Sequence, residues 1–276
     1  MPDSLPPVFL ATAIEAVLKA GDTQLAGFGT GVRVDKKGAI DLVTEIDLKV
    51  ESEFRAMIAE RFPDHTVLGE EFASSGDRNS TSRFCWVFDP VDGTTNYAHG
   101  LPIFCSSLAL EIDGELAVGA VYDPTRRELF TAERGHGAWL NGRPLTVSTA
   151  DTLLDSLLVT GFHYGIQRDP EELVSLFREF IVRARAIRRL GSAALDLCYV
   201  AAGRFDGYWE SKIQPWDVAA GALIVMEAGG VVSTVDGMPF RSRAGSVLAT
   251  NGHIQEQMLE VIRAAADSAR SRNRTH

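Results

Sequence analysis

The sequence predicts a mixed helix-and-sheet protein, an α+β first half joined to an α/β second half. Three observations carry that expectation. Hairpin signals cluster where Asp113-Gly114 and Asn141-Gly142 separate apolar runs. Two stretches with apolar residues at helical spacing precede that sheet, from Val8 and around Val50. After Ala150 strand-like runs alternate with helical ones.

Val8 to Ala20 reads as a helix, with Gly21 as its stop. Gly27, Gly29 and Gly31 read as a loop or bulge, since they lack the spacing and preceding strand of a dinucleotide fingerprint. Lys36, Lys37 and Gly38 lie in a polar stretch expected to be mobile. Thr44 is placed to cap a helix, with Asp47 three residues on. Val50, Phe54, Met57 and Ile58 continue that helix until Pro63. Asp47 suits a helix N-terminus, where negative charge is favoured, and a side chain held that way can also serve catalysis. Thr66-Val67-Leu68 is a short strand. Of Glu70 and Glu71, which follow it directly, one must point inward. The polar loop Ala73 to Ser82 is expected to be exposed.

Phe84 to Phe88 reads as a buried strand ending at Asp89, and Pro90 is expected to turn the chain out of the sheet. Asp92 follows, Gly93 lets the backbone close, and Thr94, Thr95 and Asn96 are residues that open helices. Pro-Val-Asp-Gly is also ordinary β-turn chemistry. The other reading is two carboxylates and a fan of N–H groups at one strand end. Divalent cations suit the former and phosphate oxygens the latter.

Phe104 to Ile112, Glu115 to Tyr122 and Glu128 to Ala132 complete an antiparallel sheet. The second half reads as a strand at Leu153 to Thr160, a helix after Asp169-Pro170, and a helix from Gly191-Ser192-Ala193-Ala194 through Val200. A strand, Phe205 to Trp209, ends in Glu210. Pro215-Trp216-Asp217 opens a helix closed by Gly229-Gly230. Strands at Val231 to Val235 and Val247 to Thr250 precede a last helix, with the tail Ser268 to His276 expected to fray. The boundary falls between residues 1–147 and 148–276, two halves of one unit.

Composition narrows the function. Of the 276 residues, 45% are hydrophobic and 23% charged, as in an ordinary soluble protein. No apolar run approaches the roughly 18 residues a membrane span needs, and Met1 to Pro7 lack signal-peptide character. Cys85, Cys105 and Cys198 read as reduced, buried thiols in a cytoplasmic protein. A net charge of −10 argues against a nucleic-acid partner, and Arg183, Arg185, Arg188 and Arg189 read as a solvated or salt-bridged face. An acidic protein handling an anion needs metal ions to reverse the local sign.

Glu70, Asp89, Asp92 and Asp217 each fall where a strand or helix meets a turn. Four carboxylates without His or Cys suit Mg²⁺ or Mn²⁺ and disfavour zinc. With these residues the sequence resembles the inositol monophosphatase family. Asp89-Pro90-Val91-Asp92-Gly93-Thr94-Thr95-Asn96 looks like its first signature. Trp216-Asp217-Val218-Ala219-Ala220-Gly221, running to Glu227-Ala228-Gly229-Gly230, looks like its second. Gly69-Glu70-Glu71, Asp41-Leu42-Val43-Thr44 with Asp47, and Gly191-Ser192-Ala193-Ala194 match in order and spacing, so the resemblance spans about Val8 to Ile262.

The resemblance implies a layered αβαβα sugar-phosphatase fold, a homodimer, lithium sensitivity and Mg²⁺-dependent hydrolysis of a small phosphate monoester. Myo-inositol monophosphate is the expected substrate. One Mg²⁺ would lie between Glu70, Asp89 and the carbonyl of Val91, a second among Asp89, Asp92 and Asp217, and a weaker third near Glu70. Thr94, polarised by Asp47, would orient the water, with Glu70 also catalytic. The N–H groups of Gly93, Thr94 and Thr95 would hold phosphate. Asp92, Ser192, Ala193 and Glu210 would meet the alcohol, and Gly191 and Asp217 would also be substrate-binding. Thr94-Thr95-Asn96-Tyr97 favours the inositol branch over the 3′-phosphoadenosine branch, whose motif has a lysine after the first threonine. Fructose-1,6-bisphosphatase, histidinol-phosphate and 3′-phosphoadenosine phosphatases of the same superfamily, and a non-catalytic partner-binding scaffold, are the rivals. Phe162-His163-Tyr164 offers no counterpart to one substrate-facing serine of the family, and Val34 to Ile40 carries Gly-Ala where relatives differ.

Overall fold

The computed structural model describes residues 6–36, 42–72, 82–163, 165–167 and 170–273. Helix α1 (Val8–Gly27) leads to a small antiparallel pair, β1 (Val34–Lys36) and β2 (Leu42–Thr44), and then to α2 (Glu45–Arg61). A seven-stranded sheet follows in chain order: β3 (Thr66–Gly69), β4 (Phe84–Asp92), β5 (Cys105–Ile112), β6 (Glu115–Asp123), β7 (Glu128–Glu133), β8 (Ala138–Leu140) and β9 (Arg143–Pro144). Only the β3–β4 pair is parallel. The short helix α3 (Thr94–Ala98) interrupts the run after β4.

The second half supplies β10 (Leu157–Thr160), α4 (Glu171–Ile181), β11 (Ala186–Arg188), α5 (Ala193–Ala201), β12 (Gly207–Ser211), α6 (Pro215–Glu227), β13 (Val231–Ser233), β14 (Ser246–Thr250) and α7 (Gln255–Asn273). Its five strands pair in the order β11-β10-β12-β14-β13, with β10 parallel to both neighbours.

Strand alternation builds five layers. Trp86, Phe88, Leu108 and Leu110 face α1 and α2, packing on Phe9, Ala13, Val17 and Phe54. Val87, Ala109 and Val121 face the other way, onto Leu197 of α5 and Leu223 and Ile224 of α6. The same central cluster takes Val159, Tyr208 and Val247 from the second sheet. That sheet's outer face sets Leu158, Trp209 and Leu248 against Phe180 of α4 and Met258 of α7. Each large apolar side chain buried this way contributes about 1.5–3 kcal/mol.

Several boundaries depart from the expectation, among them those of β12, which runs from Gly207 to Ser211, and β13, which stops at Ser233. α1 continues through Gly21 to Gly27, because Gly21 is buried against Tyr122 where the helix crosses β6. β4 does not end at Asp89 but runs through Pro90 to Asp92. Leu153–Asp155 forms a 3₁₀ turn, and the strand begins only at Leu157. α7 runs to Asn273, well past Ser268. Lys37, Gly38, Asp41, residues 73–81 and 274–276 lie outside the described residues, as do Tyr164 and Asp169. No helix among the described residues is long and apolar enough to cross a membrane.

Candidate active site

The site begins with the bulge in β4. Asp89 pairs with Ser107 and Asp92 with Cys105, so three steps on β4 face two on β5. Residues three apart on a regular strand point to opposite faces. The extra residue returns Asp92 to the side that Asp89 already faces, and Pro90, which has no N–H to offer the ladder, is tolerated there. Both carboxylates are buried and line one cavity of about 460 Å³.

Gly93 then adopts φ +100°, and a Cβ there would stand 2.8 Å from the Ile103 carbonyl oxygen. This left-handed residue caps α3 and lines the cavity together with Thr94 and Thr95, the first residues of the helix, whose N–H groups have no intrahelical acceptor. Thr94 Oγ1 lies 2.9 Å from the Val91 carbonyl oxygen and 3.2 Å from Asp47 Oδ1. Asp47 is fully buried behind Thr94. Its Oδ2 accepts the Thr44 N–H at 2.9 Å and the Thr44 hydroxyl, the capping box of α2. The side chain that caps α2 is thus also the one that stands behind Thr94.

Asp92 ties the two halves together. Its Oδ2 accepts Ser192 Oγ and the Ala194 N–H, both at 2.7 Å, and its Oδ1 accepts the Ala193 N–H at 3.2 Å. Ser192, buried and committed to Asp92, orients that carboxylate as well as lining the cavity. Asp217 comes from the first turn of α6, where its Oδ2 accepts the Gln214 N–H at 2.9 Å. Glu70, Val91, Thr95, Gly191 and Glu210 line the same cavity. Every sequence-predicted site residue therefore converges there, with Asp47 one shell of atoms behind. Residues the sequence reading did not assign to the site also line it: Asp196, Phe162, and Arg189 of the expected basic face, whose guanidinium lies 5.9 Å from the Phe162 ring centre. Arg183 and Arg185 do pair with acids, Glu179 and Asp155, so the expected basic face divides in two.

Burial pushes Asp89, Asp92 and Asp217 above the ordinary carboxylate range. Crowding by Glu70 and Asp92 adds to this at Asp89, and by Asp92 and Glu70 at Asp217. At Asp92 the Ser192 hydroxyl and the α5 N–H groups oppose the rise. Glu210 is pushed up to about 7 by burial, against the Tyr208 hydroxyl that donates to its Oε2 at 2.6 Å. Buried carboxylates that repel one another, all hard oxygen donors, suit a hard divalent cation. Among the described residues no three His, Cys, Asp or Glu side chains form a ready-made ion cage. Donor chemistry and charge, rather than a closed geometry, are what fit Mg²⁺.

A five-layered fold with buried carboxylates beside a helix start defines a site class built for a divalent cation and a phosphate. The chain belongs to the inositol monophosphatase family, whose pattern it matches over residues 7–269. It is 45% identical over 257 residues to an inositol-1-monophosphatase of Synechocystis sp., covering 93% of this chain and 89% of that protein. The solved inositol monophosphatase of Anabaena (Nostoc) sp. superposes with a TM-score of 0.84 at 41% identity, covering 94% of this chain and 96% of that one. A Salmonella typhimurium protein named Nus factor SuhB is 41% identical over 257 residues, 92% of this chain and 95% of that protein.

Proposed function

We propose that this chain is a Mg²⁺-dependent phosphatase of small phosphate monoesters, with myo-inositol monophosphate as its substrate. One observation carries the reading: Asp89, Asp92 and Asp217 share a cavity with the start of α3 and with Thr94, which is backed by Asp47. Glu70, Asp89 and the Val91 carbonyl would hold one ion and Asp89, Asp92 and Asp217 a second, with a weaker third near Glu70 and Mn²⁺ as a substitute. Bound ions supply charge neutralisation, an acidified water and a stabilised leaving oxygen. The chain's own groups do the rest. Thr94 orients the water, the N–H groups of Gly93, Thr94 and Thr95 bind phosphate oxygens, and Glu210 accepts hydrogen bonds from the alcohol's hydroxyls. Relatives named inositol-1-monophosphatase support the substrate. We further take the protein to be a cytoplasmic, lithium-sensitive homodimer.

A phosphate-release screen over about a dozen monoesters with Mg²⁺ tests this, since kcat/KM ratios define specificity. The reading requires inositol monophosphate to stand at or near the top. A second reading, partner binding without catalysis, draws on the relative named Nus factor SuhB. It gives no reason for six acidic residues to line one cavity, five of them held above their ordinary pKa.

A further inference from the structure

Helix α2 does more than carry Asp47. Asp47, Glu51 and Arg55 recur every four residues and so share one face of the helix. Glu51 is fully buried, an uncommon place for a carboxylate. Its Oε2 accepts the Glu71 N–H at 2.7 Å, and its Oε1 accepts the Phe72 N–H at 3.2 Å and Arg55 Nε at 2.8 Å. Arg55 in turn donates to the carbonyl oxygens of Val67 at 3.3 Å and Phe72 at 3.0 Å. Gly69 leaves room for this arrangement, because a Cβ there would stand 2.1 Å from Glu51 Oε1.

The segment so gripped, from Val67 to Phe72, contains Glu70. We propose that Glu51 and Arg55 form a positioning pair that fixes the backbone on both sides of Glu70 and thereby aims its carboxylate into the cavity for a divalent cation. The inference rests on the proposed metal-dependent function and adds residues to it. Glu51 acts through bonds to main-chain N–H groups and meets no substrate. One rigid helix thus sets the place of both the hydroxyl at Thr94 and the carboxylate at Glu70, which lie on separate strands' ends. Outer partners of a metal site tune affinity in this way, and their loss costs roughly 10- to 100-fold in metal affinity.

The test is Mn²⁺ binding followed by electron paramagnetic resonance of the free ion, alongside thermal unfolding, on wild type, Glu51→Gln and Arg55→Lys. Glu51→Gln keeps the volume but sets an amide NH₂ against an N–H donor. Arg55→Lys keeps the charge and loses the fork that reaches two carbonyls. Both should weaken Mn²⁺ binding, Glu51→Gln by roughly 10- to 100-fold and Arg55→Lys by less. In activity assays the half-saturating Mg²⁺ should rise in step, with kcat largely regained at high Mg²⁺. Glu111→Gln is the control. Glu111 is equally buried and bonded to Ser242 and Arg243, but at the far end of β5. It should lower Tm and leave Mn²⁺ affinity alone. Wild-type Mn²⁺ affinity in both folded variants would overturn the positioning role while leaving the function standing. A wild-type protein that binds no Mn²⁺ would overturn the metal-dependent function itself.

Discussion

At the scale of single residues, Thr94 and Asp47 separate stability from catalysis. Asp47→Asn weakens the capping box as well as the bond to Thr94, so it should cost about 0.5–2 kcal/mol of stability. Thr94→Ala leaves that cap intact. Each should lower kcat by roughly 10²-fold or more with little change in KM, as for a lost positioned group. Because they act as one unit, the double variant should be scarcely slower than either single one. Additive losses in steady-state kinetics would separate the two roles. Glu210→Gln tests the alcohol end instead. Losing a charge-assisted hydrogen bond, about 1.5–3 kcal/mol, should lower kcat/KM for inositol monophosphate by roughly 10- to 150-fold. Hydrolysis of p-nitrophenyl phosphate, which offers no hydroxyls, should hardly change; an equal loss on both would place Glu210 in support of the fold. Asp89, Asp92 and Asp217 were legible because acids beside apolar runs and turns need a reason. Glu51 was not, since its partners lie 20 and 21 residues away and only the fold brings them together. Asp196, mid-sequence in a small-residue helix, gave no signal, since only the fold sets it beside the cavity.

At the scale of elements, the bulge in β4 and the left-handed Gly93 create the site together. Gly93→Ala should be damaging twice over, since the new Cβ meets fixed backbone at Ile103 and the φ of +100° disfavours any side chain. Strain of this kind costs about 1–3 kcal/mol, which in a chain of 276 residues a thermal melt reads as roughly 2–5 °C in Tm. Activity should fall further than stability explains, because relief of the strain turns the α3 N–H groups away from the cavity. Full activity in the alanine variant would contradict the anion-cradle role. The helix and hairpin elements were legible from periodicity and turn residues. The bulge was not: Pro90 signals a break, yet nothing local tells a turn out of the sheet from an extra residue within it. α1 overran Gly21 likewise because a contact with Tyr122, about a hundred residues on, outweighs glycine's weak helix propensity.

At the scale of the whole molecule, the layered packing buries acids at the meeting of both halves, and this ties stability to pH and cations. The pKa values of Asp89, Asp92, Asp217 and Glu210 lie above the ordinary ones, so the folded protein holds these protons more tightly than the unfolded chain. Without ions, the associated stability is fully present below the unfolded values near about pH 4 and is lost as pH rises through the raised ones. For Glu210 that loss extends to about 7. Mg²⁺ replaces the protons, so its stabilising effect should grow with pH. At about a hundred times its dissociation constant it should add about 2.7 kcal/mol near neutral pH, and less near about pH 5. A Tm gain from Mg²⁺ that shrinks as pH rises would contradict the linkage.

The most direct test of the central claim is phosphate release from myo-inositol monophosphate by exhaustively chelated protein, before and after Mg²⁺ is returned. Hard oxygen donors arranged around a phosphate cradle predict no turnover before, turnover after, and none with Ca²⁺, which accepts looser geometry than Mg²⁺. Undiminished turnover by the chelated protein, or none once Mg²⁺ is restored, would contradict the account.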